Sequence, residues 1–249
     1  MIDPGAVRVV ESVPQPASGQ PLQQAVLGSG HYLAEEFRFL AAKVVGLASE
    51  RFTTIGVVST GPSEGKSTVA IGLTAALART SKQRALLLEA DLRQPSLERY
   101  LGLPRLGGVS EFLAGRSQSV PVRTISPPGF AVLAAGRERL ARPELLGSDR
   151  MASLIGACQL SYGYVVVDCP PLDPVADAVA LQDMLDGFLL VIRARRSPRE
   201  SIERAISRLK ENRIRGIVFN DQPEILPLGY GYGYGYRDDR ARYLKSQER

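Results

Sequence analysis

Residues 53–68 read TTIGVVSTGPSEGKST, and the rest of the chain is laid out around them. Ile55, Val57 and Val58 supply the apolar, β-branched run of a buried strand. Gly61, Pro62 and Gly65 interrupt regular structure, and Lys66-Ser67-Thr68 opens a helix-forming stretch that runs to residue 79. Strand, glycine-containing loop and helix, in that order, make a phosphate-binding loop. Backbone N–H groups turn inward around phosphate oxygens, and the helix N-terminus adds its positive dipole end. Lys66 is expected to reach the outer phosphates as a point charge, and the Ser67 hydroxyl to ligate Mg²⁺. The candidate nucleotide-binding residues are therefore Gly61, Pro62, Ser63, Glu64, Gly65, Lys66, Ser67 and Thr68. Thr60 precedes Gly61 where the standard spacing has its first glycine, so the loop is a variant. Glycine turns at strand–helix junctions also occur as plain structure, but GKST behind an apolar strand favours phosphate binding.

Downstream, apolar runs alternate with helical segments. RALLLEAD (84–91), FAVLAAG (130–136), YVVVDC (164–169), FLLVIRA (188–194) and IRGIVFN (214–220) read as strands. Residues 92–115 read as loop and short helix. Arg142-Pro143-Glu144 is expected to start one helix, and Asp173-Pro174 to cap another that reaches Met184. Ser197-Pro198-Arg199-Glu200 reads as a capping box, with Ile202, Ala205, Ile206 and Leu209 as the apolar stripe behind it. Upstream, Phe37, Leu40, Val44 and Leu47 recur at helical spacing over 31–48. The pattern predicts an α/β fold of the P-loop NTPase type, a mostly parallel sheet with helices on both faces. Ligands in such sheets bind at the carboxyl ends of the strands. Glu89, Asp91 and Asp168 all fall there, with one of the first two expected to serve the metal and the other to take a proton, and Asp168 to hold Mg²⁺ with Ser67 and Asp91. Asn220, at the end of the last strand, is a candidate for reading adenine or a simple turn former.

The chain has 249 residues, 44% hydrophobic, with net charge +5, which suits one sizeable domain and a tail. No apolar run approaches the roughly 20 residues that span a bilayer, and the N-terminus lacks a signal-peptide pattern. Cys158 and Cys169 sit in apolar contexts, as in a reducing cytosol. The charge permits acidic membranes, nucleic acid or acidic partners, although a solvated basic surface explains it as well. Residues 1–28, rich in Pro, Gln, Ser and Gly without periodicity, read as a disordered N-terminal arm. Residues 29–226 form the nucleotide-binding domain, and 227–249 a flexible tail in which Tyr230, Tyr232, Tyr234 and Tyr236 alternate with glycine and Tyr243 follows.

From Glu35 onward the chain resembles the bacterial tyrosine kinases of capsule and exopolysaccharide export, in their cytoplasmic stand-alone form. The resemblance is carried by GPSEGKST, LLLEADLRQP and VVVDCPP as Walker A, A′ and B stretches, by GVSEFLAG and ARPELLGS, and by the tyrosine-rich tail. It implies an ATP- and Mg²⁺-dependent tyrosine autokinase. Lys66, Glu89, Asp91 and Arg93 would serve catalysis, and Tyr230, Tyr232, Tyr234, Tyr236 and Tyr243 would be the phosphoacceptors. It further implies a homo-oligomer, a membrane activator of the polysaccharide co-polymerase type, a cognate tyrosine phosphatase, no nucleic acid, and a cytoplasmic place at the inner membrane face through that activator. With no spanning run in the chain, the activator is expected to be a separate protein. Two departures stand out: the family has Asp where Glu89 stands, and its Glu-x-x-Arg-x-x-Arg ring motif is matched by Glu35 and Arg38 but ends here in Ala41. The rival readings are a partition-type ATPase switch, which carries an extra lysine where this loop has Gly61, and a pseudokinase acting by nucleotide binding alone.

Overall fold

The computed structural model describes residues 7–14, 32–47, 53–81, 83–138, 143–174 and 177–221. At its centre is a sheet of eight strands: β1 (Val7–Pro14), β2 (Thr54–Ser59), β3 (Ala85–Glu89), β4 (Val120–Ser126), β5 (Phe130–Leu133), β6 (Tyr164–Asp168), β7 (Gly187–Arg193) and β8 (Ile214–Asn220). Their order is β1-β4-β5-β3-β6-β2-β7-β8, and every pairing is parallel except the β4–β5 hairpin. The helices are α1 (Tyr32–Leu47), α2 (Lys66–Thr80), α3 (Leu97–Leu101), α4 (Val109–Leu113), α5 (Asp149–Ser161) and α6 (Arg199–Ser207).

The apolar strands are buried on both faces because alternate side chains feed two cores. Ile55, Val57, Leu87, Val166 and Val191 point to the face covered by α1, α2 and α3. Val58, Leu86, Leu88, Val165, Val167 and Leu190 point to the face covered by α4, α5 and α6. Phe37 of α1 lies over Gly72 of α2 so closely that any side chain at 72 would meet the ring. Parallel register brings Glu89 beside Asp168, and Asp168 beside Val57, in one row across β3, β6 and β2. That row is the carboxyl end of the sheet, where the loop after β2 emerges.

Several sequence expectations need correction. Part of the segment read as a disordered arm, Val7–Pro14, forms an edge strand paired in parallel with β4; the remainder of 1–28 lies outside the described residues. β4 was not anticipated, because Pro121 interrupts what otherwise reads as a short β-branched run. Pro143 starts only a 3₁₀ turn (Pro143–Leu145), and the helix proper begins after Ser148, whose side chain accepts from Met151 N at 3.4 Å. The helix expected from Asp173 is a 3₁₀ segment, Asp177–Leu181. At α6 the N-cap is Pro198, which offers no side-chain cap, so the expected capping box does not form.

Candidate nucleotide site

The loop between β2 and α2 is held from several sides. Ser63 and Gly65 both have left-handed backbone, φ 61° and 97°. The Glu64 carboxylate accepts from Thr60 N at 3.0 Å and from Ser197 Oγ at 2.6 Å. The Glu64 carbonyl accepts from Asn220 Nδ2 at 2.8 Å, and the Ser63 carbonyl from Arg193 Nη1 at 3.3 Å. Asn220, a candidate for reading adenine, thus has its amide engaged by the loop itself. Gly61, Thr68 and the exposed Pro62 and Ser63 frame the mouth, while Glu64 and Ser67 are buried.

Gly65 is required twice over. A Cβ there would be held at positive φ, and it would run into the Asn220 amide. Gly65→Ala is expected to cost about 1–2 kcal/mol from the left-handed backbone alone. Adding Asn220→Ala should recover only the part of the loss that comes from the collision. Urea unfolding of the single and double variants checks this, and full recovery in the double variant would remove the backbone argument.

Lys66, the first residue of α2, is almost wholly buried and lies between two acids. Its Nζ is 2.8 Å from Asp91 Oδ2 and 3.9 Å from Asp168 Oδ1. Burial on its own would lower the lysine pKa, but Asp168 and Asp91 outweigh it and push the value up to about 12. Asp168 is completely buried, and neither carboxylate oxygen has a hydrogen-bond partner. Burial raises its pKa, opposed chiefly by the Lys66 ammonium. An orphaned buried carboxylate beside a loop for polyanions fits a hard cation. Asp168, Asp91 and the Ser67 hydroxyl, which accepts from Ser96 Oγ at 3.1 Å, are oxygen donors suited to Mg²⁺. Among the described residues no cluster of three or more His, Cys, Asp or Glu side chains makes a metal cage unaided. Phosphate oxygens and water would have to complete the shell, as is usual for Mg²⁺.

Glu89 is not placed as a catalytic base. It is fully buried, and its carboxylate accepts from Ser96 N at 2.5 Å, Leu97 N at 2.8 Å and Ala135 N at 2.9 Å. It caps the start of α3 and ties the β3 and β5 exits together. Burial lifts its pKa to about 7 against the opposing pull of the three N–H groups, with Asp168 adding to the rise. Arg93 is likewise committed elsewhere, gripping the buried Asp177 with Nε at 2.5 Å and Nη2 at 3.3 Å. That pair fastens the segment after β3 to the segment after β6. Asp91 remains the acid that faces Lys66, and its Oδ1 accepts from Gln94 N at 3.1 Å.

The stretch GVSEFLAG, singled out by resemblance alone, has a visible task. Val109 N and Ser110 N donate to the Ala134 and Ala135 carbonyls, and Glu111 accepts from Gly108, Arg137 and Glu138 N–H groups, which fixes the β5 exit. On α1, Glu35 and Arg38 form an ion pair one turn apart, while Ala41 is fully buried against the core, where an arginine has no room. Asp177, Ser197 and the structural use of Glu64 were missed in the sequence reading. Tyr230, Tyr232, Tyr234, Tyr236 and Tyr243 lie outside the described residues. Cys158 and Cys169 are both free and buried.

No protein-family model matches the chain. It is 33% identical over 180 residues to the succinoglycan biosynthesis transport protein ExoP of Rhizobium meliloti, covering 70% of this chain but only 23% of ExoP. It is 29% identical over 191 residues to the tyrosine-protein kinase YwqD of Bacillus subtilis, covering 75% of this chain and 80% of YwqD. Among solved structures it superposes on the kinase domain of the Escherichia coli tyrosine kinase ETK with TM-score 0.76 and 26% identity, over 88% of this chain and 87% of that one. The chain spans about a quarter of the length of ExoP and similar long relatives, and most of the length of YwqD.

Proposed function

The chain belongs to the bacterial tyrosine-protein kinases, and from that premise we propose that it moves the γ-phosphoryl group of ATP onto protein tyrosines, beginning with its own Tyr230, Tyr232, Tyr234, Tyr236 and Tyr243. The observation that carries this reading is the buried Lys66 ammonium at the head of α2, between Asp91 and the unpartnered Asp168. Loop N–H groups and the α2 N-terminus receive the phosphates, and Lys66 exchanges its acid partners for phosphate oxygens. Asp168 and Ser67 would hold Mg²⁺, which when bound neutralises charge on the outer phosphates. The acceptor tyrosine oxygen bonds to the γ-phosphorus, the bond to the β-phosphate oxygen breaks, and ADP leaves. Asp91 takes the phenolic proton, since Glu89 is occupied by backbone N–H groups.

Exopolysaccharide or capsule assembly is the process served, under a membrane protein of the co-polymerase type and with a phosphatase to reset the tail. The ExoP match supports that setting. Contact with the inner membrane face is assigned to the activator; among the described residues no helix is long and apolar enough to cross a membrane. The engagement of Glu89 favours one alternative, action by nucleotide binding alone. Incubation with ATP and Mg²⁺ followed by mass spectrometry separates the two. Phosphate on 230–243 is expected; an ATP-bound protein that stays unmodified, with and without the activator's cytoplasmic segment, would establish the binding-only reading.

A further inference from the structure

Glu64 is an acid inside a loop shaped to receive anions. It is buried while its neighbours Pro62 and Ser63 are exposed, so its carboxylate lies beneath the loop and not at its mouth. One oxygen accepts from Thr60 N, where the chain leaves β2, and the other from Ser197 Oγ, in the connection between β7 and α6. The carboxylate therefore joins the entrance of the loop to a different part of the sheet. The segment it spans holds the non-glycine left-handed residue Ser63, a conformation that persists only where the surroundings impose it. Ser197 is withdrawn from capping α6, the task its position suggests, and is spent on this contact.

We propose that Glu64 is a positioning residue, a strut anchored on Ser197 that keeps the phosphate loop in its nucleotide-receiving shape. The proposal rests on the nucleotide reading above and adds to it two side chains that hold the loop from beneath. Without the strut the loop samples closed shapes, and a nucleotide must reopen it, so affinity falls by the fraction of molecules that are open. Glutamine can replace the acid. Its amide oxygen accepts from Thr60 N, and its NH₂ donates to Ser197 Oγ, whose own proton turns to the Arg193 carbonyl already 3.4 Å away.

The test measures a fluorescent ATP analogue with Mg²⁺ on the full chain and its Glu64→Ala, Ser197→Ala, double alanine and Glu64→Gln variants, together with amide exchange at 60–65 without nucleotide. Each single alanine variant should bind about tenfold more weakly, what one charge-assisted hydrogen bond is worth. The double variant should be no weaker than the poorer single, and Glu64→Gln should stay within about threefold of the parent. Exchange at 60–65 should quicken in the alanine variants and not in Glu64→Gln. Parental affinity in either alanine variant, losses that multiply in the double, or failure of glutamine to restore binding overturns the strut. If the parent itself binds no analogue, the nucleotide reading fails, and the exchange rates alone decide the strut.

Discussion

Replacing Lys66 by methionine should lower phosphotransfer by at least about a hundredfold, the usual consequence of removing one preorganised charge-stabilising group. The same change should also destabilise the empty protein. Nothing else in the described structure neutralises Asp168, which is completely buried and otherwise unpartnered, and Asp91 loses its cation at 2.8 Å. Breaking a buried pair from one side costs about 3–5 kcal/mol because the remaining charge is stranded. In the parent, the lysine pKa rises from its ordinary 10.5 to about 12, so its stabilisation is complete below 10.5 and is lost as pH climbs through 12. In the variant the relevant group is Asp168, whose folded pKa burial pushes upward. The penalty of its stranded charge is absent below the ordinary carboxylate range and appears as pH rises through the raised value. The deficit of Lys66→Met should therefore be largest at neutral pH and shrink on acidification towards pH 4. Urea unfolding at a series of pH values tests this; a variant as stable as the parent at pH 7 would show that the two acids are solvated.

Glu89 should behave as a structural acid. Glu89→Gln is expected to lose about 1–3 kcal/mol, because its NH₂ must face one of the three N–H donors that the carboxylate now satisfies. Phosphotransfer per folded molecule should fall far less than in Lys66→Met. The pH dependence carries the signature. The folded pKa is raised from 4.5 to about 7, so the folded state favours the protonated acid. Stability from this group is fully present below 4.5 and fades as pH rises through 7, by about 3 kcal/mol at 1.4 kcal/mol per pH unit. The glutamine variant should lack that slope, so that its curve approaches the parent's at alkaline pH. A variant of parental stability whose phosphotransfer collapses at unchanged ATP affinity would return Glu89 to the role of base.

The contrast between these two residues shows what a sequence discloses of such a site. Lys66, Ser67 and the strand-end acids are legible because loop chemistry and strand ends are local, and a parallel sheet brings all its carboxyl ends to one edge. Where a strand-end carboxylate points is not local. Glu89 is claimed by N–H groups as far along the chain as Ala135, and Arg93 by Asp177. Ser197 has the spacing of a capping box, yet a buried acid 133 residues away takes its hydroxyl. The two missed strands fail in different ways. β1 lies at the sheet edge with β4 as its neighbour, more than a hundred residues away, while β4 carries Pro121 and Arg123 inside its run.

The position of β2 in the sheet has a bearing on how the protein is made. Its two neighbours are β6 and β7, residues 164–168 and 187–193, while β2 itself is complete by residue 59. During synthesis from the N-terminus, the strand that carries the phosphate loop waits with both edges unpaired until β6 has emerged, and with one edge unpaired until β7 follows. Asp168 arrives beside it with β6, and only with β8 does Asn220 reach the loop. Contacts this distant close slowly, and unpaired apolar strands invite association in the meantime. ATP cannot help a nascent chain to fold until these strands have emerged, so a ribosome-bound fragment ending before residue 164 should depend on chaperones for its solubility.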